Sequence, residues 1–136
     1  MSSERRNRRS TCPISASLEV LGDRWSLLIV RDMMFGGART YKDFLTSEEG
    51  IATNVLANRL TRLQDSGIIA SDRDPKDRRS FIYRLTAKGA ELAPVLMELS
   101  RWGTRFEESE PPHGILQAWE ADPQTFLRKI RGGLSE

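Results

Sequence analysis

Between Thr53 and Gly103 the apolar residues change their period twice, and neither a plain helical bundle nor a plain sheet accommodates that change. In "TNVLANRLTRLQDSG" (53–67), Leu56, Leu60 and Leu63 recur at helical spacing. Thr53 is placed to cap this helix and Gly67 to end it. "IIASDRD" (68–74) and "SFIYRLT" (80–86) follow as two short β-rich runs, joined by "PKDRR" (75–79) into a hairpin with a charged tip. Helical spacing returns in "AKGAELAPVLMELSRWG" (87–103), capped by Thr86, with Leu92, Val95, Leu96, Leu99 and Trp102 on one face. Pro94 lies inside this stretch and is expected to kink it.

Upstream, Pro13 suits the first turn of a helix, and Ile14, Leu18 and Leu21 follow at helical spacing until Gly22. Asp23 can cap a second helix in which Trp25, Leu28, Ile29, Met33 and Phe35 read as core, and Gly36 and Gly37 end it. Thr40 with Asp43 three residues on is a weaker form of the capping box, opening a short helix with Tyr41, Phe44 and Leu45 inward. The order is helix, helix, short helix, turn, helix, hairpin, helix. This is a mainly α fold with a small β-hairpin, in winged helix-turn-helix order. The short helix at 40–47 then braces the turn, and the helix at 53–66 becomes the recognition helix in the major groove.

The outer face of that helix carries Asn54, Asn58, Thr61 and Arg62 where a surface helix ordinarily carries Glu and Lys. Amides, hydroxyls and guanidinium groups pair with base edges and phosphates, although a merely solvated face is polar too. Thr53, Asn54 and Asn58 are candidate contacts, the two amides with adenine edges, while Thr61 and Arg62 suit phosphate. Arg59, nearer the apolar boundary, serves either DNA or a structural ion pair. In the wing, Lys76, Arg78 and Arg79 are candidates for phosphate contact, against a hydrated tip nearly balanced by Asp72, Asp74 and Asp77. Residues 1–11 read as a flexible basic arm whose Arg5, Arg6, Arg8 and Arg9 form either a solvated tail or a minor-groove probe.

Charge supports a nucleic-acid partner. Residues 1–89 hold sixteen Lys and Arg against eleven Asp and Glu, a net of +5, and the remainder holds five against eight, a net of −3. Concentrated cations displace the counterions condensed on phosphates. The 136 residues fit one domain, and the longest apolar run, Leu27 to Val30, is far too short to span a bilayer. The N-terminus has no apolar segment of signal-peptide type, so a cytoplasmic location and no membrane partner are expected. One cysteine, Cys12, and one histidine, His113, leave no internal disulfide and no basis for a zinc site. There is no Ser-His-Asp grouping around His113 and no phosphate-cradling glycine loop, so neither enzymatic activity nor a cofactor or metal is expected.

Three stretches, "CPISASLEVLGDRWSLLIVRDMMFGGARTYKDFL", "GIATNVLANRLTRLQDSGII" and "YRLTAKGAELAPVLMELSRWG", resemble the HxlR-type transcriptional regulators. That family's pattern runs from Cys-Pro through Gly-x-x-Trp and Phe-Gly to Leu-Thr-x-x-Gly and a closing Trp-Gly. The resemblance covers residues 12–103, which it implies to be a winged-helix DNA-binding and dimerisation domain, followed by an extension, 104–136, of linker plus helix. It implies a homodimer on double-stranded DNA that represses or activates a few promoters, with repression the expected direction. Dimerisation through the first and last helices suits Ile14, Leu18, Leu96, Leu99 and Trp102. A two-fold dimer sets two recognition helices on the order of 34 Å apart and calls for a pseudo-palindromic operator.

Cys12 corresponds to a cysteine that senses oxidants or electrophiles in several members. Its position at a helix start near Arg8 and Arg9 is compatible with a lowered pKa, and a small half-buried residue in the dimer seam is the alternative. Asp23 and Arg24 stand where many members carry Gly-Lys, an exchange expected to cost little. Trp25, Trp102, Phe106 and Trp119 are either core and interface residues or the lining of a small-molecule effector pocket. In the extension, Asp122 can cap a final helix with Pro123 in its first turn and Phe126, Leu127 and Ile130 on one face, expected to pack across the dimer or cover its edge. A winged-helix module that binds a protein instead of DNA is the alternative from a different class.

Overall fold

The computed structural model describes residues 10–111 and 114–133. The arm residues Arg5, Arg6, Arg8 and Arg9, and His113, lie outside the described residues. Four helices come first: α1 (Pro13–Leu21), α2 (Ser26–Met34), α3 (Tyr41–Leu45) and α4 (Thr53–Asp65). The antiparallel hairpin β1 (Ile69–Asp74) and β2 (Asp77–Leu85) follows. Helices α5 (Ala87–Ala90), α6 (Ala93–Phe106), α7 (Ile115–Ala121) and α8 (Pro123–Gly132) complete the chain. Among the described residues, no helix is long and apolar enough to cross a membrane.

The main core lies where α2, α3, α4 and the base of the hairpin meet. Ile29, Val30, Phe44, Leu56, Leu60, Leu63, Ile68 and Ile69 are buried there. The period-3.6 leucines of α4 thus face the core, as their spacing predicts. The capping box of α3 forms in full: the Asp43 N–H donates to Thr40 Oγ1 at 3.2 Å and the Thr40 N–H donates to Asp43 Oδ2 at 3.0 Å. Helix α4 ends in a Schellman arrangement, with Gly67 at φ 77° and the Ile68 N–H bonded to the Leu63 carbonyl at 3.0 Å.

Three local expectations are corrected. Ala52, not Thr53, is the N-cap of α4 and supplies no side-chain bond; Thr53 is already helical, and its carbonyl accepts from the Tyr41 hydroxyl at 2.7 Å. Strand β2 starts at Asp77, which pairs with Asp74, so the tip shrinks to Pro75 and Lys76, while Arg78, Arg79 and Ser80 fall in a bulge without a partner on β1. Side-chain bonds from Asp74 to the Lys76 N–H (2.8 Å) and from Asp77 to the Arg79 N–H (3.1 Å) stabilise this tight reversal. Pro94 does not kink one long helix; Thr86 caps the short α5, and Pro94 sits in the first turn of a separate α6, where no N–H is needed. The restart sets the phase of α6 so that Leu96 turns inward to the core, away from the exposed face.

The extension docks on its own chain. Met97, Leu116 and Trp119 form a second buried cluster, with Phe35, Leu96, Ile115, Phe126 and Leu127 packed on it. Asp122 caps α8 through the Thr125 N–H at 3.1 Å. Arg131 reaches back to Glu91 with two bonds of 2.7 Å. Helix α6 runs to Phe106, past the expected boundary at 103.

Candidate nucleic-acid interface

With the leucines of α4 buried, the opposite face is left to solvent. Thr53, Asn54, Asn58, Thr61 and Arg62 are all exposed on it. Asn54, Asn58, Thr61 and Arg62 fall at i, i+4, i+7 and i+8, one stripe of a helix. The turn leading into α4 is held by Glu49, which pairs with Arg31 of α2 at 3.0 Å and with Arg24 at 3.6 Å.

Arg59 makes the ion pair that its place near the apolar boundary allows. Its side chain is only 22% exposed and its Nε donates to Asp23 Oδ1 at 3.0 Å. Asp23 also accepts from the Trp25 N–H (2.7 Å), the Ser26 N–H (2.9 Å) and the Ser26 hydroxyl (2.6 Å). Burial pushes the Asp23 carboxyl up, but the Ser26 hydroxyl, the two N–H groups and the Arg59 guanidinium outweigh it and hold the pKa below its usual value. Arg59 also donates to the Asn58 side-chain oxygen. That bond occupies the acceptor side of the exposed Asn58 amide. Asp23, expected to cost little, is the hub that ties the start of α2 to the middle of α4. A separation of 36 residues between Asp23 and Arg59 leaves no local sequence signal of this pairing.

The wing stands beside this face. Lys76, Arg78 and Arg79 are exposed, Lys76 at the tip and the two arginines in the bulge of β2. Arg79 pairs weakly with Asp77 at 3.5 Å, and Arg73 lies 4.9 Å from the centroid of the Phe81 ring.

Away from the polar face runs an apolar stripe. Val95, Leu99, Trp102 and Phe106 of α6 are exposed, as are Ile14 and Leu18 of α1, at 72% and 59%. Val95, on the face that the helical spacing marks, and Phe106, one of the four aromatics, join Leu99 and Trp102 on the stripe at i, i+4, i+7 and i+11, while Leu96 turns inward. The four aromatics do not share a pocket. Trp25 packs on the main core, Trp119 belongs to the second cluster, and Trp102 and Phe106 lie ring to ring on the stripe with centroids 5.7 Å apart. Cys12 is exposed at the N-cap of α1. The backbone N–H groups of Ser15 and Ile14 lower its thiol pKa.

A buried helix-turn-helix with a hairpin wing and an outward amide-bearing helix defines a winged-helix transcription regulator. A family model of HxlR-like helix-turn-helix proteins matches residues 20–111, and the chain belongs to that family. It is similar to the HTH-type transcriptional regulator sll1512 of Synechocystis sp., 35% identical over 99 residues that cover 73% of each chain. It is also similar to the HTH-type transcriptional regulator YodB of Bacillus subtilis, 33% identical over 98 residues covering 71% of this chain and 87% of YodB. The reduced form of YodB superposes with a TM-score of 0.59 at 29% identity, over 74% of this chain and all of that one. The chain is thus a transcriptional regulator of HxlR type, and its relative YodB has been solved in a reduced form and after diamide treatment.

Proposed function

We propose that this regulator binds a pseudo-palindromic operator in double-stranded DNA as a homodimer and represses from it, in the cytoplasm. Residues 12–103 form the DNA-binding and dimerising unit, to which 1–11 and 104–136 are appended. The observation that carries this reading is the stripe of Asn54, Asn58, Thr61 and Arg62, exposed on a helix whose other side is buried. Asn54 and Asn58 read bases, Thr61, Arg62 and the wing cations hold phosphates, and the first-turn residue Thr53 sits at the rim. The exposed Val95, Leu99, Trp102 and Phe106, with Ile14 and Leu18, form the dimer seam. An apolar row of this kind is costly in a monomer and suits an isologous contact.

The signal is an oxidant or electrophile acting on Cys12. Its thiol is exposed and shifted toward the thiolate, and YodB is known in diamide-treated and quinone-bound forms. With one cysteine per chain, the modified states are a disulfide between the two Cys12 thiols of a dimer, a mixed disulfide or a covalent adduct.

Fluorescence anisotropy with the protein's own upstream DNA and a scrambled duplex, across a salt series, tests the reading. Preference for the upstream duplex that survives moderate salt, with Asn58→Ala erasing the preference but not the residual salt-sensitive binding, is the expected result. Equal loss on both duplexes removes Asn58 as a base reader. No discrimination and no salt slope point to a winged helix that binds protein instead.

A further inference from the structure

Behind the wing lies a cleft of about 440 Å³ that the DNA-reading face does not use. That volume falls within the range of small-molecule sites. Met33 and Met34 of α2, Ala38, Ile82 and Leu85 of the wing side, and Ile130 of α8 supply apolar walls. Arg39, Arg84 and Lys129 also line it, and no Asp or Glu is among its lining residues. Arg84 is engaged by Asp72 at 3.3 Å, while Arg39 and Lys129 have no ion-pair partner among the described residues.

The backbone adds a further element. The Tyr83 N–H donates to the Arg39 carbonyl at 2.7 Å, on the edge of β2 that faces away from β1. The Thr86 N–H, by contrast, donates to the Ile68 carbonyl at 3.1 Å, toward β1. Antiparallel alternation therefore turns the Leu85 N–H to the same outer edge as that of Tyr83, beside the cleft. Two cations, a strand-edge donor and apolar walls without an acidic group are complementary to one chemistry.

We infer that this cleft binds a small amphipathic organic anion, an aromatic or medium-chain carboxylate. Its apolar body lies against Met33, Met34 and Ile130, and its carboxylate lies between Arg39 and Lys129. A cation meets no counter-charge here, and a purely polar anion gains nothing from the thioether and aliphatic walls. Occupancy clamps the wing to the extension, because Arg39 is bonded through its backbone to β2 while Lys129 rides on α8. Helix α8 is in turn fastened to the main body by the Arg131–Glu91 pair. The site deepens the regulator reading by naming a ligand class, but its binding stands or falls without DNA.

The test uses the full chain and 2-naphthoate as probe, followed by titration calorimetry and by hydrogen exchange. Saturable binding of one naphthoate per chain is expected, with the neutral 2-naphthylmethanol weaker by about tenfold or more for want of its charge-assisted bonds. Arg39→Glu with Lys129→Glu should cut naphthoate affinity by a similar factor while circular dichroism stays unchanged, since both side chains are exposed. Leu99→Ala, on the apolar stripe, should leave it unchanged. Bound naphthoate should slow exchange at Tyr83–Leu85 and along α8. Equal binding of acid and alcohol, full affinity in the double reversal, or loss in Leu99→Ala alone overturns the site; binding without protection of β2 and α8 overturns the clamp. None of these readings depends on whether an operator is found.

Discussion

Replacing Asp23 by Ala tests whether one carboxylate holds the recognition helix in place. The substitution deletes two backbone bonds at the start of α2, of 2.7 and 2.9 Å, and such capping bonds contribute about 1 kcal/mol. It also strands Arg59, whose side chain is 22% exposed, without its counter-ion. Truncating one partner of a fully buried pair costs about 3–5 kcal/mol, and the partial exposure here brings that to about 1–2. The expected loss is therefore about 2–3 kcal/mol in urea unfolding at pH 7, read at one fixed protein concentration.

A cycle of Asp23→Ala, Arg59→Ala and the double variant should give a coupling of about 1 kcal/mol. The pH dependence has a definite sign. The folded pKa of Asp23 is lowered, so its contribution is fully present above the unfolded value of about 3.9 and is lost as pH falls through the folded one. Wild type and Asp23→Ala should converge in stability as the solution is acidified below that range. Additivity of the two single losses to within about 0.3 kcal/mol would falsify the ion-pair argument.

Leu99→Asp with Trp102→Asp should yield a folded monomer by sedimentation, with operator affinity lost; an undisturbed dimer would place the seam elsewhere. Cys12→Ser should bind DNA equally with and without diamide, and alkylation of wild-type Cys12 should titrate below the ordinary thiol value of about 8.5. An alkylation midpoint at or above that value would contradict the role given to the Ser15 and Ile14 N–H groups. Trp119→Ala should destabilise by about 3–5 kcal/mol, the cost of emptying an aromatic site in a packed cluster. A loss under about 1 kcal/mol would mean that the extension contributes little to the fold.

What the sequence reveals here follows from how locally each feature is encoded. Leu56, Leu60 and Leu63 announce α4 because their spacing alone selects a helix and its buried side. Thr40 and Asp43 announce α3 because both halves of a capping box lie within one turn. Asp77, Arg78 and Arg79 look like loop residues, yet all three lie in β2, because a two-residue reversal at Pro75 and Lys76 lets Asp77 pair with Asp74 and a bulge takes up Arg78 and Arg79.

Pro94 is ambiguous by nature. The same ring interrupts a helix or opens one, and the choice is made by the Thr86-capped turn before it. The second cluster was hidden because Phe35, Met97, Trp119 and Phe126 come from four separated segments, none apolar enough alone to advertise a core. The Asp23–Arg59 contact was hidden for the same reason, leaving Arg59 open between DNA and an ion pair until the fold brought the two together.

A side chain at Gly22 would put its first carbon 2.2 Å from the Leu18 carbonyl oxygen, so α1 closes directly onto the loop with no room for a spacer. The next residue is Asp23, which grips α2 and Arg59 together. Helix α1, roughly 14 Å long by its nine residues, carries Cys12 at its N-cap and Ile14 and Leu18 on its flank, and the Asp23 link to the amide-bearing helix lies just past its end. In the proposed dimer, with two copies meeting along that flank, the angle between the two α1 helices would set the distance between the two amide-bearing helices. Half-site spacing in the operator proposed above would then be a measure of how α1 meets its twin, at the same helix that carries Cys12.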